Sequence, residues 1–267
     1  MSRADQWRES LRLFFAERAK YISRIPTLAD LCFISGRDPR LWLQPSLYED
    51  LVENILDATR VGPQSSVLEV GCASGFIARG LAPEVGRYTG VDLAQAALAV
   101  ARKLKLGNAQ FSVADGTRLP FETASFDAAF CYDVVTNFPE FASISQIVTE
   151  MWRVARPGGR VLVGSVPDEA HKDEYVKRVA VVGQELDQRH GPVPSVPNPP
   201  VPMEWLIRRA RRWCGGVEPT IVCYYFRTEN FLGLGSALGA RTEIIDIQGL
   251  NPYRGLRFNV IYEKPLQ

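Results

Sequence analysis

Cysteine and histidine are scarce in this sequence and are not clustered. The 267 residues include five cysteines and two histidines, His171 and His190. No two cysteines form a C-x-x-C pair, and the histidines do not complete the ligand spacing of a zinc site. We therefore predict neither a disulfide framework nor a bound metal ion.

The sequence also lacks an excess of charge of one sign and any long apolar run. Lysine and arginine number 31 against 30 aspartates and glutamates, so the net charge is +1, far from the basic excess typical of nucleic-acid-binding proteins. No segment approaches the roughly 20 apolar residues that a membrane-spanning helix needs. Residues 1–20 alternate charged and apolar residues, unlike a signal peptide. We expect a cytoplasmic protein that binds neither nucleic acid nor membranes.

The sequence does contain enough apolar residues for one large core. Hydrophobic residues make up 46% of the chain, and the length suits a single α/β domain with additions. Residues 5–22 carry apolar side chains at helical spacing. After an irregular stretch, a second helix places Leu47, Leu51 and Ile55 on one face. Residues 1–60 are predicted to form a helical cap.

Between residues 61 and 167 the pattern changes to strands that alternate with helices. The predicted strands are VLEVG, 87–92, 110–114, 126–131 and RVLVGSV, and the helices between them lie near 75–82, near 94–106 and around Ile147. Alternation at this spacing is typical of βαβ units, and hence of a mostly parallel sheet. We assign this region to the cofactor-binding half of the domain.

The C-terminal third departs from this alternation. Residues 168–190 have a helical pattern, and six prolines between residues 191 and 202 exclude a helix interior or a central strand there. A basic helical piece and a β-like run, IVCYYF, follow. We interpret 168–226 as an insertion, or lid, that covers the active edge of the sheet, and 227–267 as a closing helix and the last two strands.

Small and acidic residues follow three consecutive strands of the predicted sheet. Gly71, Ala73 and Gly75 form a turn after the first strand, where backbone amides can approach a ligand. Asp92 closes the second strand, where an acid can accept both hydroxyls of a ribose, and Asp115 closes the third, where it can meet an adenine edge. Each feature alone also suits a tight turn or a helix cap. Together they predict one ligand site, because parallel strands end at the same edge.

These segments resemble the class I S-adenosylmethionine-dependent methyltransferases, especially the group that acts on small molecules. The resemblance covers residues 61–166 and rests on VLEVGCASG, GVDLAQAALAVARKL, VADGTRLPFETASFDAAFCYDVV and MWRVARPGGRVLVGSV. It implies S-adenosylmethionine as the cofactor. It also implies a Rossmann-like α/β fold with a seven-stranded, mostly parallel sheet and helices on both faces.

The resemblance assigns roles to individual residues. Asp92 would hold the ribose, and Asp115 with the backbone of Gly116 would face adenine. Cys131 and Tyr132, at the end of the fourth strand, would lie near the methyl-bearing sulfur. The predicted cofactor site is completed by residues at the first two strand ends, namely Glu69, Gly71, Cys72, Ala73, Gly75 and Leu93.

Two alternatives remain open. A nicotinamide dehydrogenase has the same kind of sheet, but its turn needs a third glycine for close helix packing, and Phe76 stands at that position. The acid at Asp115 also has no standard role in a dinucleotide site. The other alternative is a protein that binds S-adenosylmethionine without catalysis, for regulation or as a scaffold, since no residue is an obvious catalytic base.

The candidate catalytic residues are few. Methyl transfer depends mainly on alignment of the acceptor and exclusion of water, and a base is needed only when the acceptor group is still protonated. Tyr132 and Asp133 are candidates because they are nearest the expected reaction centre, and His171 because it follows the fifth strand. The structural alternatives are wall packing, helix capping and a solvated helix start.

Residues outside the sheet are candidates for the acceptor site. Those predicted to line an apolar pocket are Tyr21, Trp42, Gln44, Trp205 and Tyr225. The aromatic ones could equally fasten their segments to the sheet. The arginines at 208–212 could bind an anionic acceptor or form a solvated helix face. We expect O- or N-methylation of a small molecule, such as a specialised metabolite or a glycan precursor.

Overall fold

Seven strands pair into one sheet in the computed structural model, which describes residues 3–20, 22, 24–191, 222–247 and 249–266. The strands are β1 (Ser66–Val70), β2 (Arg87–Asp92), β3 (Ala109–Val113), β4 (Phe126–Tyr132), β5 (Ala155–Pro167), β6 (Arg241–Asp246) and β7 (Arg257–Glu263). Their order across the sheet is β3-β2-β1-β4-β5-β7-β6. Strands β1 to β5 pair in parallel, and β7 is antiparallel to both of its neighbours. The predicted seven-stranded, mostly parallel sheet is confirmed.

The order of the strands reverses direction between β1 and β4. From β1 the chain crosses to β2 and β3 on one side, and then returns to β4 on the other side. Val70 at the end of β1 pairs with Val91, and Asp92 at the end of β2 pairs with Val113. These carboxyl ends therefore meet at one edge, at the kind of switch point where open α/β sheets bind ligands.

Helices cover both faces of the sheet. They are α1 (Arg3–Ala19), α2 (Leu28–Ile34), α3 (Pro39–Trp42), α4 (Pro45–Thr59), α5 (Ala78–Leu81), α6 (Gln95–Ala101), α7 (Phe141–Val154), α8 (Lys172–His190) and α9 (Thr228–Leu238). Helices α2 to α6 pack into the core on one face, and α7 and α9 pack into the core on the other. In the described part of the chain, no helix has the length and apolar character needed to cross a membrane.

The N-terminal segment contains more helix than the apolar pattern indicated. Helix α2 begins at a capping box, in which the side chains of Thr27 and Asp30 each accept a hydrogen bond from the other residue's backbone. Helix α3 begins with Asp38 as its N-cap and Pro39 at its first position. The prediction of an irregular stretch was wrong for these two segments, because such short helices depend on caps and packing rather than on periodicity.

The segment after β5 is helical, as predicted, but the expected strand at IVCYYF was wrong. Residues 222–225 form no strand in the structure, and Phe226 makes an isolated bridge with Asp168. Tyr224 N instead donates to Thr136 O at 2.7 Å, which holds this segment against the turn after β4. Residues 192–221, with Trp205 and the arginines at 208–212, lie outside the described residues, so the role of the insertion stays a prediction.

Candidate functional site

A cavity of about 550 Å³ lies between the carboxyl ends of β1 to β4 and helix α1. Its volume falls in the range of small-molecule sites, roughly 300–1,000 Å³. The residues that end the strands, and the turns that follow them, form one wall. Helix α1 forms the opposite wall through Trp7, Arg8, Glu9, Leu11, Arg12 and Phe15.

The turn after β1 has a backbone conformation that favours glycine. Gly71 has a φ of +84°, and a Cβ atom added there would lie 2.5 Å from Val134 Cγ2. Gly71 N donates to Val91 O at 2.8 Å, which fixes the turn against β2. Ala73 also has a positive φ, +44°. Both residues line the cavity, so the turn presents backbone rather than bulky side chains to a ligand.

Asp92 connects the ends of β1 and β2. Its Oδ2 atom accepts a hydrogen bond from Ala73 N at 2.8 Å, and Oδ1 accepts one from Ala94 N at 2.8 Å. Each carboxylate oxygen has a second lone pair, and the residue lines the cavity. Burial raises the pKa of Asp92 above its ordinary value, and the backbone hydrogen bonds oppose this shift. The carboxylate thus organises the glycine turn and can still accept hydrogen bonds from ligand hydroxyls.

Asp115 lies at the other end of the cavity, after β3. Its Oδ1 atom accepts from Thr117 N at 2.9 Å and from Thr117 Oγ1 at 2.7 Å. Arg8 Nη1 of α1 lies 3.3 Å from Oδ2. Burial acts to raise the pKa of Asp115, but the hydrogen bonds from Thr117 and the charge of Arg8 outweigh it and lower the pKa. Asp115 is therefore a fixed anionic acceptor beside the half-exposed cation of Arg8.

Helix α1 is attached to the turn after β4 by its tryptophan. Trp7 Nε1 donates to Asn137 O at 2.6 Å, and the Trp7 ring lies 4.8 Å from the Phe138 ring, centroid to centroid. Sequence reasoning recognised the apolar pattern of this helix but did not assign it to the ligand site. Periodicity shows that a helix has an apolar face, but it does not show what that face covers.

The opposite end of the cavity, after β4, carries an ionic cluster that sequence reasoning also missed. Arg37 Nη2 donates to Asp133 Oδ2 at 2.8 Å, and Arg257 Nη1 donates to Asp133 Oδ1 at 2.7 Å. Arg37 and Asp133 line the cavity beside Tyr132. The Tyr132 ring fits against Gly164 of β5, where an added Cβ would lie 2.0 Å from the ring.

Most of the predicted cofactor residues line this one cavity. They are Gly71, Ala73, Asp92, Leu93, Asp115, Gly116 and Tyr132. Four others do not reach it. Cys131 lies in the core on the α7 face of the sheet, Cys72 Sγ packs beside Gly90, and Gly75 lies against Leu104 and Ala101 of the helical layer.

Glu69 is the fourth predicted residue that lies away from the cavity. It is fully within the sheet layer, and Tyr88 OH of β2 donates to its carboxylate. Burial raises the pKa of Glu69 to about 7, against the opposing effects of the Tyr88 hydrogen bond and the Arg37 charge. Because its partner Tyr88 belongs to the core on the α2–α6 face of the sheet, the carboxyl group of Glu69 faces that helical layer rather than a ligand.

The three candidate catalytic residues differ in their surroundings. Tyr132 lines the cavity, and burial raises its pKa, so its phenol stays protonated at neutral pH. Both carboxylate oxygens of Asp133 already accept from arginines. His171 lies outside the cavity, with its side chain about half exposed and its Nδ1 atom 3.8 Å from Glu174. The structure thus places Tyr132 and Asp133 together at the cavity wall and leaves His171 outside it.

The three candidate acceptor residues that the structure describes, Trp42, Gln44 and Tyr225, do not line the cavity. Trp42 is buried, and its ring packs edge-on against Phe76 at 5.9 Å. Gln44 is exposed at the start of α4, and Tyr225 packs against Tyr175 at 5.7 Å. Trp42 and Tyr225 therefore fasten their segments to neighbouring elements. Tyr21 and Trp205 lie outside the described residues.

The donors and acceptors of the cavity fit S-adenosylmethionine. Asp92 supplies the acceptors that the hydroxyls of a ribose need, and Asp115 supplies an acceptor for an exocyclic amine. The turn at Gly71 admits a ligand close to the backbone. Phe76 is buried between Trp42 and Tyr48, so an aromatic ring fills the place that a dinucleotide site keeps for its third glycine. This packing disfavours a dehydrogenase.

Comparison with known proteins points to the same ligand. A family model described as a methyltransferase domain matches residues 68–163. The chain is similar to a demethylmenaquinone methyltransferase of Deinococcus radiodurans, with 39% identity over 111 residues, or 39% of this chain and 44% of the relative. It is also similar to the methyltransferase GfsG of Streptomyces halstedii, with 30% identity over 179 residues, or 62% of this chain and 63% of the relative.

A solved structure has the same fold. It is an S-adenosylmethionine-dependent methyltransferase from Methanosarcina mazei, with a TM-score of 0.53 and 21% identity, and the match covers 78% of this chain and 95% of that one. The chain spans under half the length of the Deinococcus relative and under two thirds of the Streptomyces relative. The match to the family model, residues 68–163, falls in the half of the domain that carries the strand-end site.

Proposed function

We propose that the chain is a class I S-adenosylmethionine-dependent methyltransferase, which it resembles in sequence and fold, and that it transfers the methyl group of this cofactor to a small-molecule acceptor. One observation carries the proposal. Gly71, Asp92 and Asp115, which end three neighbouring strands, all line a single cavity. In this proposal the Asp92 carboxylate holds the ribose, and Asp115 with Gly116 faces adenine.

The reaction needs alignment more than acid–base chemistry. The bound cofactor supplies a methyl group on a sulfonium. The neutral thioether that departs when the methyl group is transferred is a good leaving group. Tyr132, protonated and packed on Gly164, would fix the wall near the reacting atoms. Trp7 of helix α1, packed on Phe138 of the turn after β4, would exclude water. These residues hold an acceptor in line with the methyl group, and such orientation accounts for much of the catalysis of displacement reactions.

The acceptor in this proposal is small. The cofactor would fill much of the 550 Å³ cavity, which leaves room for a compact acceptor group. One relative is named for demethylmenaquinone, a small molecule, which supports a small-molecule acceptor. O- or N-methylation of a specialised metabolite or a glycan precursor stays a prediction. The cysteines of the described chain are free thiols (Cys32, Cys72, Cys131 and Cys223), which suits a reducing cytoplasm.

Transfer of a labelled methyl group tests the activity directly. The protein, incubated with methyl-labelled S-adenosylmethionine and a small-molecule extract, is expected to produce a labelled product together with S-adenosylhomocysteine. Calorimetry with S-adenosylhomocysteine is run in parallel. Binding without any labelled product in extracts of several sources would contradict the enzymatic proposal, and failure to bind would contradict the cofactor site as well.

A non-catalytic protein that binds S-adenosylmethionine is the second candidate. It is favoured by the state of the candidate bases, since Tyr132 is protonated and Asp133 is engaged by two arginines. The labelling experiment separates the two candidates. Any labelled product that depends on the protein disposes of the non-catalytic alternative.

Replacement of Trp7 by alanine tests whether α1 closes the cavity. The change removes the 2.6 Å hydrogen bond to Asn137 and the ring contact with Phe138, so we expect binding of S-adenosylhomocysteine to weaken about tenfold. Trypsin should also cut the α1 arginines faster in the variant. Trp152→Ala on α7, whose ring contacts Lys264 instead, is the matched control. Equal affinity in the wild type and Trp7→Ala would show that α1 does not hold the ligand.

A further inference from the structure

The two carboxylate oxygens of Asp115 have different partners. Oδ1 accepts from Thr117 N and Thr117 Oγ1 at 2.9 and 2.7 Å, within the turn after β3. Among the residues that the structure describes, Oδ2 accepts only from Arg8 Nη1 of α1, at 3.3 Å. Arg8 and Asp115 both line the cavity. The oxygen that Thr117 leaves available is therefore the one that Arg8 occupies.

This ion pair competes with the contact that the proposed function assigns to Asp115. The exocyclic amine of adenine is a donor and needs a carboxylate oxygen as its acceptor. Oδ1 is already shared by two donors of Thr117, so the amine needs Oδ2. A guanidinium and an amine both present hydrogen atoms with positive partial charge, and they repel each other when both approach one oxygen. Binding of the base is therefore coupled to release of Arg8.

The ion pair is weak enough for a ligand to displace it. The side chain of Arg8 is 48% exposed and that of Asp115 is 33% exposed, and their separation of 3.3 Å is long for a charge-assisted hydrogen bond. Exposed ion pairs of this kind shift an equilibrium by up to about fivefold, and salt weakens them. The Arg8 side chain can therefore move into solvent when a base takes its place.

The attachment of α1 keeps Arg8 beside Asp115. The preceding residue, Trp7, donates to Asn137 O at 2.6 Å. Nearer the other end of the helix, Arg18 Nη1 donates to a backbone oxygen of α2 at 3.0 Å. Because the helix is fastened on either side of Arg8, only that side chain has to move, and it meets Asp115 again each time the site empties. A group tethered in this way acts at a high effective concentration.

We propose that Arg8 is a tethered competitor for Asp115: the aminopurine base of the cofactor displaces it on binding, and it pairs with Asp115 again when the product leaves. The inference rests on the proposed function, because the base belongs to the cofactor of that reaction. Arg8 thereby sets both the rate of cofactor association and the selectivity for the base. An oxopurine has the opposite interactions, since its oxygen accepts from Arg8 and is repelled by the Asp115 carboxylate.

The first arm of the test measures the association of S-adenosylhomocysteine by stopped-flow tryptophan fluorescence, since Trp7 lines the cavity. Arg8→Met removes the competing charge but keeps an aliphatic stem. Association should become about three- to fivefold faster, and dissociation should not change, because the ion pair is already broken in the complex. The ligand carries one ammonium and one carboxylate, so salt acts mainly on the protein. Salt at about 0.5 M should bring the wild type close to the variant, because it screens an exposed pair.

The second arm compares S-adenosylhomocysteine with S-inosylhomocysteine, in which an oxygen replaces the amine, by calorimetry. The wild type should prefer the amino form, and Arg8→Met should increase this preference about fivefold to tenfold, because the competitor of the amine and the donor to the oxygen are lost together. Arg8→Lys keeps the charge and should lie between the two. Arg24→Met is the matched control, since Arg24 forms an exposed pair with Asp30 at 2.6 Å and does not line the cavity. It should change neither the rates nor the preference.

Each outcome bears on the role of Arg8. Faster association of Arg8→Met together with a stronger preference for the amino form supports the inference. Unchanged or slower association, or an unchanged preference, overturns it while the cofactor site stands. Weaker binding of S-adenosylhomocysteine by the variant also overturns it, because Arg8 would then hold the base rather than compete with it. If the wild type binds neither nucleoside, the proposed function fails, and the competitor fails with it.

Discussion

Replacement of Asp92 by alanine is expected to weaken the binding of S-adenosylhomocysteine by about a hundredfold or more, because the proposed site would lose two hydrogen bonds from ribose hydroxyls to the carboxylate. The variant also loses the acceptors for Ala73 N and Ala94 N, both at 2.8 Å, so the glycine turn is less well ordered before the ligand arrives. Calorimetry of the purified variant measures the loss. An affinity within threefold of the wild type, roughly 0.6 kcal/mol, would show that Asp92 does not bind the cofactor.

Two further variants separate charge from structure. Asp92→Asn keeps one acceptor oxygen and should lie between the wild type and Asp92→Ala. Asp127→Asn is the matched control, because Asp127 accepts from Ser66 N at 2.6 Å and pairs with Arg156 at the opposite edge of the sheet. It should lower stability without changing affinity.

Acid pH should reproduce the effect of Asp92→Asn. Burial raises the pKa of Asp92 in the folded protein, and only the ionised carboxylate accepts from both ribose hydroxyls. Affinity is therefore complete above this raised pKa and falls as pH decreases through it. The fall should begin at a higher pH than for an exposed aspartate, and it should be absent from Asp92→Asn.

The parts of the fold and site that the sequence predicted are those encoded locally. The strands and helices between residues 66 and 166 follow from apolar runs and their periods. Gly71, Asp92 and Asp115 reach one cavity because each directly follows a parallel strand, and the sheet itself brings strand ends together. Cys131, one position from Tyr132 in β4, lies on the opposite face of the sheet, because side chains alternate across the pleat.

The parts that the sequence did not predict depend on contacts between distant segments. Trp7 meets Asn137 across 130 positions, and Asp133 meets Arg257 across 124. No local pattern marks Arg37 or Arg257 among the 31 lysines and arginines of the chain. The positive φ of Asp133 is likewise invisible in its residue type alone, although aspartate tolerates that conformation better than most residues.

Gly71→Ala is expected to have the other large effect, on both stability and binding. The left-handed backbone at φ +84° disfavours any Cβ, and the added atom would lie 2.5 Å from Val134 Cγ2 and 3.0 Å from Cγ1. The strain and the overpacking together should cost about 2 to 4 kcal/mol of unfolding free energy. If the turn shifts to relieve the contact, Ala73 N moves away from Asp92, so affinity for S-adenosylhomocysteine should fall as well.

Denaturant unfolding and calorimetry of the same preparation measure the two effects. Gly107→Ala is the matched control, because a Cβ there has no neighbour within 4 Å and its backbone does not lie in the left-handed region. A second variant, Gly71→Ala with Val134→Ala, removes the colliding methyl groups but leaves the φ strain. Recovery of stability in the double variant shows that packing against Val134 dominates, and no recovery shows that the backbone does. Wild-type stability and affinity in Gly71→Ala itself would mean that the turn does not need glycine.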